Sequence, residues 1–424
     1  MASDRVLNFS AGPSALPDSV LEQATQGLLN FANTGIGIAE ISHRSKEFLA
    51  FLDELESLVR EQLEVPQTHR ILFAQGGGTG QFAAVVMNML ARDVLLRPNL
   101  AEGEERVLDY VVTGSWSRTA AKEATNLTET VPNVRVNIAV DAKNNSADGA
   151  SYDSLPPHSA YQFSENPALI YYCENETVNG IQFSKAPSDD ASGEELNKKD
   201  ETTFPFHLLP KNTLLPLVAD YSSSFMSRPI PRLADHAIIY AGAQKNIGPA
   251  GLTILIVRQD CIVDVDAAVK LSRSAIPVPS ILSYKYLADG KSVPNTPPVF
   301  SVYVSGLVLK RMKELGGPKY YEEFNRKKKE KVYETVKEGE KRGVFRSKVP
   351  EDKGGSWMNV VFEVVGDGAE GRFLKGAESK GMKGLKGHRS VGGIRATLYN
   401  AVTEEATDAL VAYMKEFIET ETQA

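Results

Sequence analysis

This chain of 424 residues has few cysteines, no long apolar run and no excess of positive charge, and each absence excludes a class of protein. Its only two cysteines, Cys173 and Cys261, are too few for a disulfide framework and favour a reducing compartment. No apolar run is long enough to cross a bilayer, and MASDRVLNFSAGPSALP contains no stretch typical of a signal peptide. Positive charge is not in excess either, since the formal net charge is -7. We therefore expect a cytoplasmic protein that binds neither membrane nor nucleic acid, with anionic ligands held by a few placed basic side chains.

The apolar residues are grouped in a pattern typical of an α/β protein. Seven short strand-like runs lie between residues 70 and 260, and helical patterns such as GQFAAVVMNMLA and SRTAAKEATNL stand between them. Several runs are apolar throughout, as expected for strands covered on both faces. The runs are RILFA, RVLDYVVTG, VRVNIAV, ALIYYCEN, LPLVAD, AIIYAGA and TILIVR. The pattern predicts a large domain, residues 18–300, built on a mostly parallel sheet wrapped by helices.

Two regions depart from this pattern. The stretch at about 185–205 is polar and charged, so we expect a surface insertion there. From residue 301 onwards long helical segments alternate with the strand-like WMNVVFEVV and GGIRATLY. Residues 301–424, together with 1–17, are therefore predicted to form a smaller α+β domain. The basic run NRKKKEK is interleaved with glutamates at helical spacing, which predicts a solvated helix face.

Two reactive side chains follow predicted strands. Lys245 ends the apolar part of YAGAQKNIGPAGLT and is followed by glycine and proline, and Asp220 ends LPLVAD. In α/β proteins the carboxyl ends of the strands carry the chemistry. An acid behind an apolar run is costly to bury unless it meets a cationic partner. An ordinary solvated lysine is the other interpretation of Lys245.

Two strand-to-helix turns complete the candidate site. FAQGGGTGQF contains Gly78 and Thr79, where backbone N–H groups and a helix N-terminus can approach a phosphate. Its spacing matches neither common nucleotide template, because Gln81 replaces the third glycine of one and the lysine of the other is missing. A tight turn without a ligand is the alternative. Trp116 in VTGSWS is either a core residue or a ring that stacks on a planar ligand.

The four features together predict a site for pyridoxal phosphate. A lysine can bind the aldehyde as an imine, an acid can keep the ring nitrogen protonated, an aromatic plane can stack, and the glycine turn can hold the phosphate. The rival of another class is a nucleotide-binding module that uses the glycine turn alone. That module leaves Lys245 and Asp220 unexplained.

Nine motifs extend this prediction over nearly the whole chain. They are NFSAGPSALP, ISHRSKEF, GGGTGQF, TGSWS, NETVNG, ADYSSSFMSRP, YAGAQKNIGPAG, NTPPVFSVY and GHRSVGGIRATLYN. Their content and order resemble the phosphoserine aminotransferases, a family of class V, fold-type I enzymes that depend on pyridoxal phosphate. The resemblance implies a large mostly parallel sheet of the seven-stranded type, a smaller C-terminal α+β domain and no metal. Two departures are Thr79, where some members carry a basic residue, and the insertion, which shorter members lack.

The resemblance also implies which residues bind the cofactor. Lys245 would hold it covalently and move a proton, and Asp220 would pair with its ring nitrogen. The other cofactor-binding residues would be Gly78, Thr79, Trp116, Thr177 and Gln244, with Asn295 and Thr296 reaching the phosphate in the neighbouring subunit. Composition alone favours the alternative, in which SVPNTPPVF is an interdomain linker with ordinary turn residues.

Basic residues would recognise the substrate. Arginine forks suit carboxylates and phosphates because they bind two oxygens at once. By resemblance Arg395 would bind the α-carboxylate. The phosphate of phosphoserine or the side-chain carboxylate of glutamate would be bound by His43, Arg44, His388 and Arg389.

The implied reaction belongs to serine biosynthesis. L-Glutamate would give its amino group to the cofactor and leave as 2-oxoglutarate, and 3-phosphohydroxypyruvate would leave as O-phospho-L-serine. The enzyme would be a homodimer with shared active sites. The alternative is a related class V enzyme, either an alanine–glyoxylate-type aminotransferase or a cysteine desulfurase. A desulfurase needs a cysteine nucleophile on a mobile loop, and neither cysteine is placed for that role.

Overall fold

The computed structural model of the chain describes residues 5–183, 200–211 and 214–423. In these ranges the α-helices are α1 (Asp18–Leu29), α2 (Lys46–Gln62), α3 (Gly77–Leu96), α4 (Ser115–Thr128), α5 (Val265–Leu271), α6 (Tyr284–Asp289), α7 (Val299–Leu315), α8 (Gly317–Lys341), α9 (Ala369–Ser379) and α10 (Glu404–Gln423). The strands are β1 (Leu7–Asn8), β2 (His69–Ala74), β3 (Arg106–Val112), β4 (Val134–Asp141), β5 (Pro167–Cys173), β6 (Asn175–Glu176), β7 (Ile181–Gln182), β8 (Leu217–Asp220), β9 (Ile238–Gly242), β10 (Thr253–Arg258), β11 (Phe345–Ser347), β12 (Asn359–Val364), β13 (Met382–Lys383) and β14 (Ile394–Thr397).

A seven-stranded sheet forms the centre of the fold, in the order β2-β10-β9-β8-β5-β3-β4. Every predicted strand is present, and every neighbouring pair is parallel except the two that include β10. Successive residues of β8 pack on opposite faces: Leu217 and Ala219 belong to one hydrophobic cluster and Val218 to the other. Burial on both faces explains why these strands are apolar throughout. The α/β, mostly parallel architecture is confirmed.

Helices cover both faces of this sheet. Buried residues of α1, α2 and α7 share one cluster with the sheet, and those of α3, α4 and α6 share the other. α1 and α2 were not predicted from the sequence. Ser45 caps α2, where its side chain accepts a hydrogen bond from the Phe48 N–H at 3.2 Å. No helix in the described ranges has the length and apolar character needed to span a membrane.

A second, smaller core lies in the C-terminal part. β11, β12 and β14 form an antiparallel sheet, and α8, α9 and α10 contribute buried residues to the same cluster. β1 pairs in parallel with β13, and Phe9 packs in this cluster. The N-terminal strand therefore belongs structurally with the C-terminal elements. The exact boundaries of the two domains stay a prediction.

The basic run on α8 is not wholly a solvated face, which corrects the sequence-based expectation. Lys328 is fully buried and Lys329 nearly so. The Lys328 amine donates to the carbonyls of Leu398, Tyr399 and Val402, at 2.9 Å each. A buried amine is tolerated when all its protons find acceptors, and three carbonyls satisfy all three.

The polar insertion predicted at about 185–205 lies largely outside the described residues. Its last part is described, and Phe204 is buried there. The Phe204 ring stacks on Tyr172 of β5 with the ring centroids 4.1 Å apart. This end of the segment therefore packs into the core rather than lying on the surface.

Candidate active site

A cavity of about 190 Å³ opens at the carboxyl ends of β2, β3, β5, β8 and β9. Its walls contain all seven residues predicted to bind the cofactor within one subunit. They are Gly78, Thr79, Trp116, Thr177, Asp220, Gln244 and Lys245. Because these strands run parallel, motifs far apart in sequence meet at one edge of the sheet.

Lys245 lies in the connection between β9 and β10. Its amine donates to the Ala11 carbonyl at 2.8 Å. Burial, followed by the positive charge of Arg395, lowers the pKa of Lys245 to about 8. Gly12 lies against this side chain with φ of 139°, and a Cβ there would come within 3.0 Å of the amine. Glycine is therefore required at this position by both conformation and space.

Asp220 is the last residue of β8 and is buried. Its carboxylate accepts a hydrogen bond from the Ser222 N–H at 2.8 Å. Burial raises the pKa of Asp220, even though Ser222, Tyr240 and Lys245 all favour the charged form. A further cation in the cavity would therefore be stabilised by this carboxylate.

The glycine turn joins β2 to α3 and places the helix N-terminus at the cavity. Gly76 and Gly77 have φ of 94° and 59°, which favours glycine at both positions. The Gly77 N–H donates to the Thr253 hydroxyl at 2.9 Å, which anchors the turn to β10. A Cβ on Gly78 would lie 3.7 Å from a carboxylate oxygen of Asp220 and would therefore occupy space in the cavity. The turn leaves an open, partly positive surface suited to an anion.

Trp116 lies at the start of α4 and is 37% exposed, which argues against the core interpretation. The Glu176 carboxylate holds this helix end. It accepts hydrogen bonds from the N–H groups of Trp116 and Ser117, at 2.8 Å each. Burial raises the pKa of Glu176 to about 7 despite these bonds. Sequence reasoning missed Glu176, although an acid in NETVNG directly after a buried strand was a usable signal.

Other cavity residues were also missed. Asn175, Ser222 and Ser223 line the cavity, and so does Cys173. Cys173 was interpreted as a packing residue of β5; it is buried, and its thiol also forms part of the cavity wall. Burial raises the pKa of Cys173 well above its usual value, so the thiol stays protonated.

Arg395 is the basic residue whose positive charge lowers the pKa of Lys245. It lies on β14, and its Nη1 donates to the Thr177 carbonyl at 3.2 Å. Its Nε is buried and has no hydrogen-bond partner in the described parts of the chain. Burial lowers the pKa of Arg395 from its ordinary value. The side chain thus keeps unused donors beside the cavity.

None of the predicted substrate residues, Arg395 included, is among the residues that line the cavity. The pKa of His388 is lowered by burial and then by the charges of Arg395 and Arg389, so these three side chains interact. His43 and the exposed Arg44 lie in the loop before α2. His43 Nε2 is buried without a hydrogen-bond partner among the described residues. Burial and the Arg44 charge lower the pKa of His43.

Asn295 and Thr296 are exposed and lie outside the cavity of their own subunit. The Thr296 carbonyl accepts a hydrogen bond from the Gln75 side chain at 3.1 Å. Gln75 directly precedes the glycine turn. The pair therefore lies on the surface close to one wall of the site.

The chain was compared with known proteins. Residues 6–187 and 207–410 match the family described as aminotransferase class-V. A phosphoserine aminotransferase of Ectopseudomonas mendocina is 39% identical over 417 residues, which cover 98% of each chain. A probable phosphoserine aminotransferase of Caenorhabditis elegans is also 39% identical, over 420 residues and with the same coverage.

Solved structures of phosphoserine aminotransferases are also similar to this chain. The phosphoserine aminotransferase of Bacillus circulans subsp. alkalophilus has a TM-score of 0.80 and 34% identity, covering 99% of this chain and 100% of that one. The PLP-bound phosphoserine aminotransferase of Trichomonas vaginalis has a TM-score of 0.78 and 32% identity, with coverage of 97% and 100%. An alanine–glyoxylate aminotransferase of Nostoc sp. shares the fold at 16% identity, with a TM-score of 0.62 and coverage of 98% and 96%.

A mostly parallel sheet with a part-buried lysine and a buried acid at its strand ends, together with the family match over most of the chain, defines a class V aminotransferase that uses pyridoxal phosphate. The relatives that match nearly the full length of the chain identify the family within this class. The chain belongs to the phosphoserine aminotransferase family. The predictions of family, enzyme class and cofactor are therefore confirmed.

The cavity also fits this cofactor on its own evidence. Asp220 is buried and would be stabilised by a further cation, which the protonated ring nitrogen supplies. The exposed Trp116 ring is available for stacking, and the glycine turn lacks the Cβ that would fill the cradle. The Lys245 amine titrates close enough to neutrality to react with an aldehyde.

Proposed function

We propose that this chain transfers the amino group of L-glutamate to 3-phosphohydroxypyruvate, giving 2-oxoglutarate and O-phospho-L-serine in serine biosynthesis. The observation that carries the proposal is that Lys245 and Asp220 line one cavity at the sheet edge, where the charge of Arg395 also acts on Lys245. The relatives named phosphoserine aminotransferase support the choice of substrates. The alanine–glyoxylate alternative rests on a shared fold alone.

Lys245 is the catalytic residue in this proposal. Bound pyridoxal phosphate would supply the electron sink that stabilises negative charge at the substrate Cα. Lys245 would hold the cofactor covalently before substrate arrives, and its released amine would then take the proton from Cα. With a pKa of about 8, roughly a tenth of the amine is neutral at pH 7. The same group can therefore accept a proton and return it.

Asp220 would neutralise the positive ring nitrogen. Gly78, Thr79 and the N-terminus of α3 would hold the phosphate, and Trp116 would lie against the ring. Thr177 and Gln244 complete the cofactor contacts. Thr79 offers a hydroxyl where some family members carry a cation, so the backbone would contribute more of the anion binding here.

Arg395 would bind the α-carboxylate of every substrate. Its charge acts on Lys245, and the Cα of an amino acid must stand beside Lys245 for proton transfer. Arg389, His388, Arg44 and His43 would bind the distal phosphate or carboxylate. Glutamate and phosphoserine both carry a negative charge at the far end, so one basic region can receive either.

We also propose a cytoplasmic homodimer, in which Asn295 and Thr296 bind the cofactor phosphate of the partner subunit. Their exposure and the contact of Thr296 with Gln75 support this arrangement. Each subunit would consist of a large domain, residues 18–300, and a small domain formed by 1–17 and 301–424. The contact of β1 with β13 supports joining the N-terminal residues to the small domain.

An absorption experiment tests the proposed function. The protein loaded with pyridoxal phosphate should lose its yellow absorption when L-glutamate is added, and 3-phosphohydroxypyruvate should restore it. Hydroxypyruvate, which lacks the phosphate, and glyoxylate are the matched controls and should restore it far more slowly. Equal recovery with glyoxylate would favour the alanine–glyoxylate alternative, and no spectral response to glutamate would reject the activity.

A further inference from the structure

A buried tyrosine outside the predicted cofactor and substrate residues shares a hydrogen-bond acceptor with Lys245. The Ala11 carbonyl accepts from the Lys245 amine at 2.8 Å and from the Tyr399 hydroxyl at 3.1 Å. Tyr399 is buried, and burial raises the pKa of its hydroxyl well above the ordinary value. The hydroxyl therefore stays protonated and can serve as a donor throughout the working pH range.

The structure holds this tyrosine firmly. The buried Lys328 donates to the carbonyl of Tyr399 itself and to those of Leu398 and Val402. These three bonds fix the turn that follows β14, so the Tyr399 ring has little freedom to leave the carbonyl.

The acceptor is held equally firmly. The Ser14 N–H donates to the Gln244 carbonyl at 3.1 Å, and the Ser14 hydroxyl bonds to the Lys245 carbonyl. Gly12 packs directly on the lysine side chain. The segment from Ala11 to Ser14 is thus joined to the backbone on both sides of the Lys245 Cα.

We propose that Tyr399 is a positioning residue that acts through the Ala11 carbonyl to keep the Lys245 amine unprotonated before the cofactor binds. Two effects act in the same direction. The hydroxyl occupies one lone pair of the carbonyl, which leaves a weaker acceptor for an ammonium ion. The positive end of the O–H dipole also points towards the carbonyl that the amine contacts.

Other groups around the amine provide the setting in which Tyr399 acts. Arg395 disfavours the ammonium form, whereas Asp220 and Cys173 favour it. None of these side chains bonds to the Ala11 carbonyl in the described structure. The effect of Tyr399 on the Lys245 amine can therefore be removed without changing Arg395, Asp220 or Cys173.

The test follows covalent capture of pyridoxal phosphate by the cofactor-free full-length protein as a function of pH. The neutral Nζ adds to the aldehyde carbon, a C=N bond forms and one water leaves, so the capture rate follows the neutral fraction of the amine. Tyr399→Phe keeps the ring and removes the hydroxyl. We expect the midpoint of the pH profile to rise by about 0.5–1 pH unit, which slows capture roughly three- to tenfold at pH 7. At high pH the two proteins should capture at the same rate.

Tyr413→Phe is the matched control. Tyr413 is also buried, and its hydroxyl donates to a backbone carbonyl, that of Phe373, at 2.6 Å, outside the cavity lining. Its profile should coincide with that of the unchanged protein. An unchanged or lowered midpoint in Tyr399→Phe, an equal shift in Tyr413→Phe, or failure of Tyr399→Phe to fold would each overturn the inference.

The inference rests on the proposed role of Lys245, and the two can fail separately. If the unchanged protein does not capture the aldehyde, the proposed function is wrong. If it does so and the Tyr399→Phe profile does not move, only the role of Tyr399 is rejected.

Discussion

Removing the Arg395 guanidinium should weaken the binding of every amino-acid substrate to the same extent. One of its donors, Nη1, is already used by the Thr177 carbonyl, while Nε is buried without a partner in the described structure. An α-carboxylate would bind to guanidinium N–H groups that Thr177 does not use. A pair on one edge of a guanidinium matches the two oxygens of a carboxylate.

The size of the effect follows from the number of bonds lost. A hydrogen bond to a charged group contributes about 1.5–3 kcal/mol, so Arg395→Leu should cost about 3–6 kcal/mol. This loss corresponds to roughly a 10²- to 10⁴-fold decrease in kcat/KM. Arg395→Lys keeps a charge but not the fork, and we expect it to recover about half of that free energy. Removing the Arg395 charge should also raise the pKa of Lys245, since that charge now lowers it.

The assay is the amino-donor half-reaction, followed by the cofactor spectrum, with L-glutamate and with O-phospho-L-serine. The fold-decrease for Arg395→Leu should agree between the two donors. Arg389→Leu and Arg44→Leu are the comparison variants. They should slow the reaction with 3-phosphohydroxypyruvate more than the reaction with hydroxypyruvate. If Arg395→Leu proved selective for phosphorylated compounds, the roles assigned to Arg395 and Arg389 would have to be exchanged.

Three further predictions concern the cofactor. Lys245→Ala should fold normally but lose covalent capture and nearly all turnover; wild-type steady-state activity in this variant would contradict its assignment. Asp220→Asn should still bind the cofactor but slow proton transfer far more than it weakens binding, because the negative charge beside the ring nitrogen is lost; rapid-mixing half-reactions as fast as wild type would count against this role. Lys245→Ala subunits mixed with subunits carrying both Asn295→Ala and Thr296→Ala should regain activity, up to about half of wild type per hybrid dimer, because one site of each hybrid is intact. Hybrids that form but stay inactive would return Asn295 and Thr296 to the linker interpretation.

The central sheet could be predicted because its strands are buried on both faces and are therefore apolar without interruption. The direction of β10 could not, since TILIVR is the same apolar run whichever way the strand points. α2 was missed although its signals are present: Ser45 as a cap, followed by apolar residues at helical spacing. α1 buries only Val20, Ala24 and Gly27, so its pattern is weak.

The strand-end part of the site could also be predicted. Lys245 and Asp220 each end a recognisable run, and the topology then brings them together. The link between Lys245 and Tyr399 could not be predicted, because both side chains donate to the backbone carbonyl of Ala11. A carbonyl is common to all residue types and leaves no mark in the sequence. The burial of Lys328 was hidden for a similar reason, since its three acceptors are backbone atoms about 70 residues away.

Because β10 runs antiparallel to β9, the chain between them is a hairpin, and Lys245 lies in that hairpin. A parallel successor to β9 would need a crossover of a dozen or more residues, with room to absorb changes in length. Here residues 243–252 close a hairpin whose base is the pair Gly242 and Thr253. Adding or removing one residue would displace the backbone by about 3.3–3.6 Å, which is more than twice the length of the bond that Lys245 must form. Insertions and deletions should therefore be excluded from this hairpin, whatever residues occupy it.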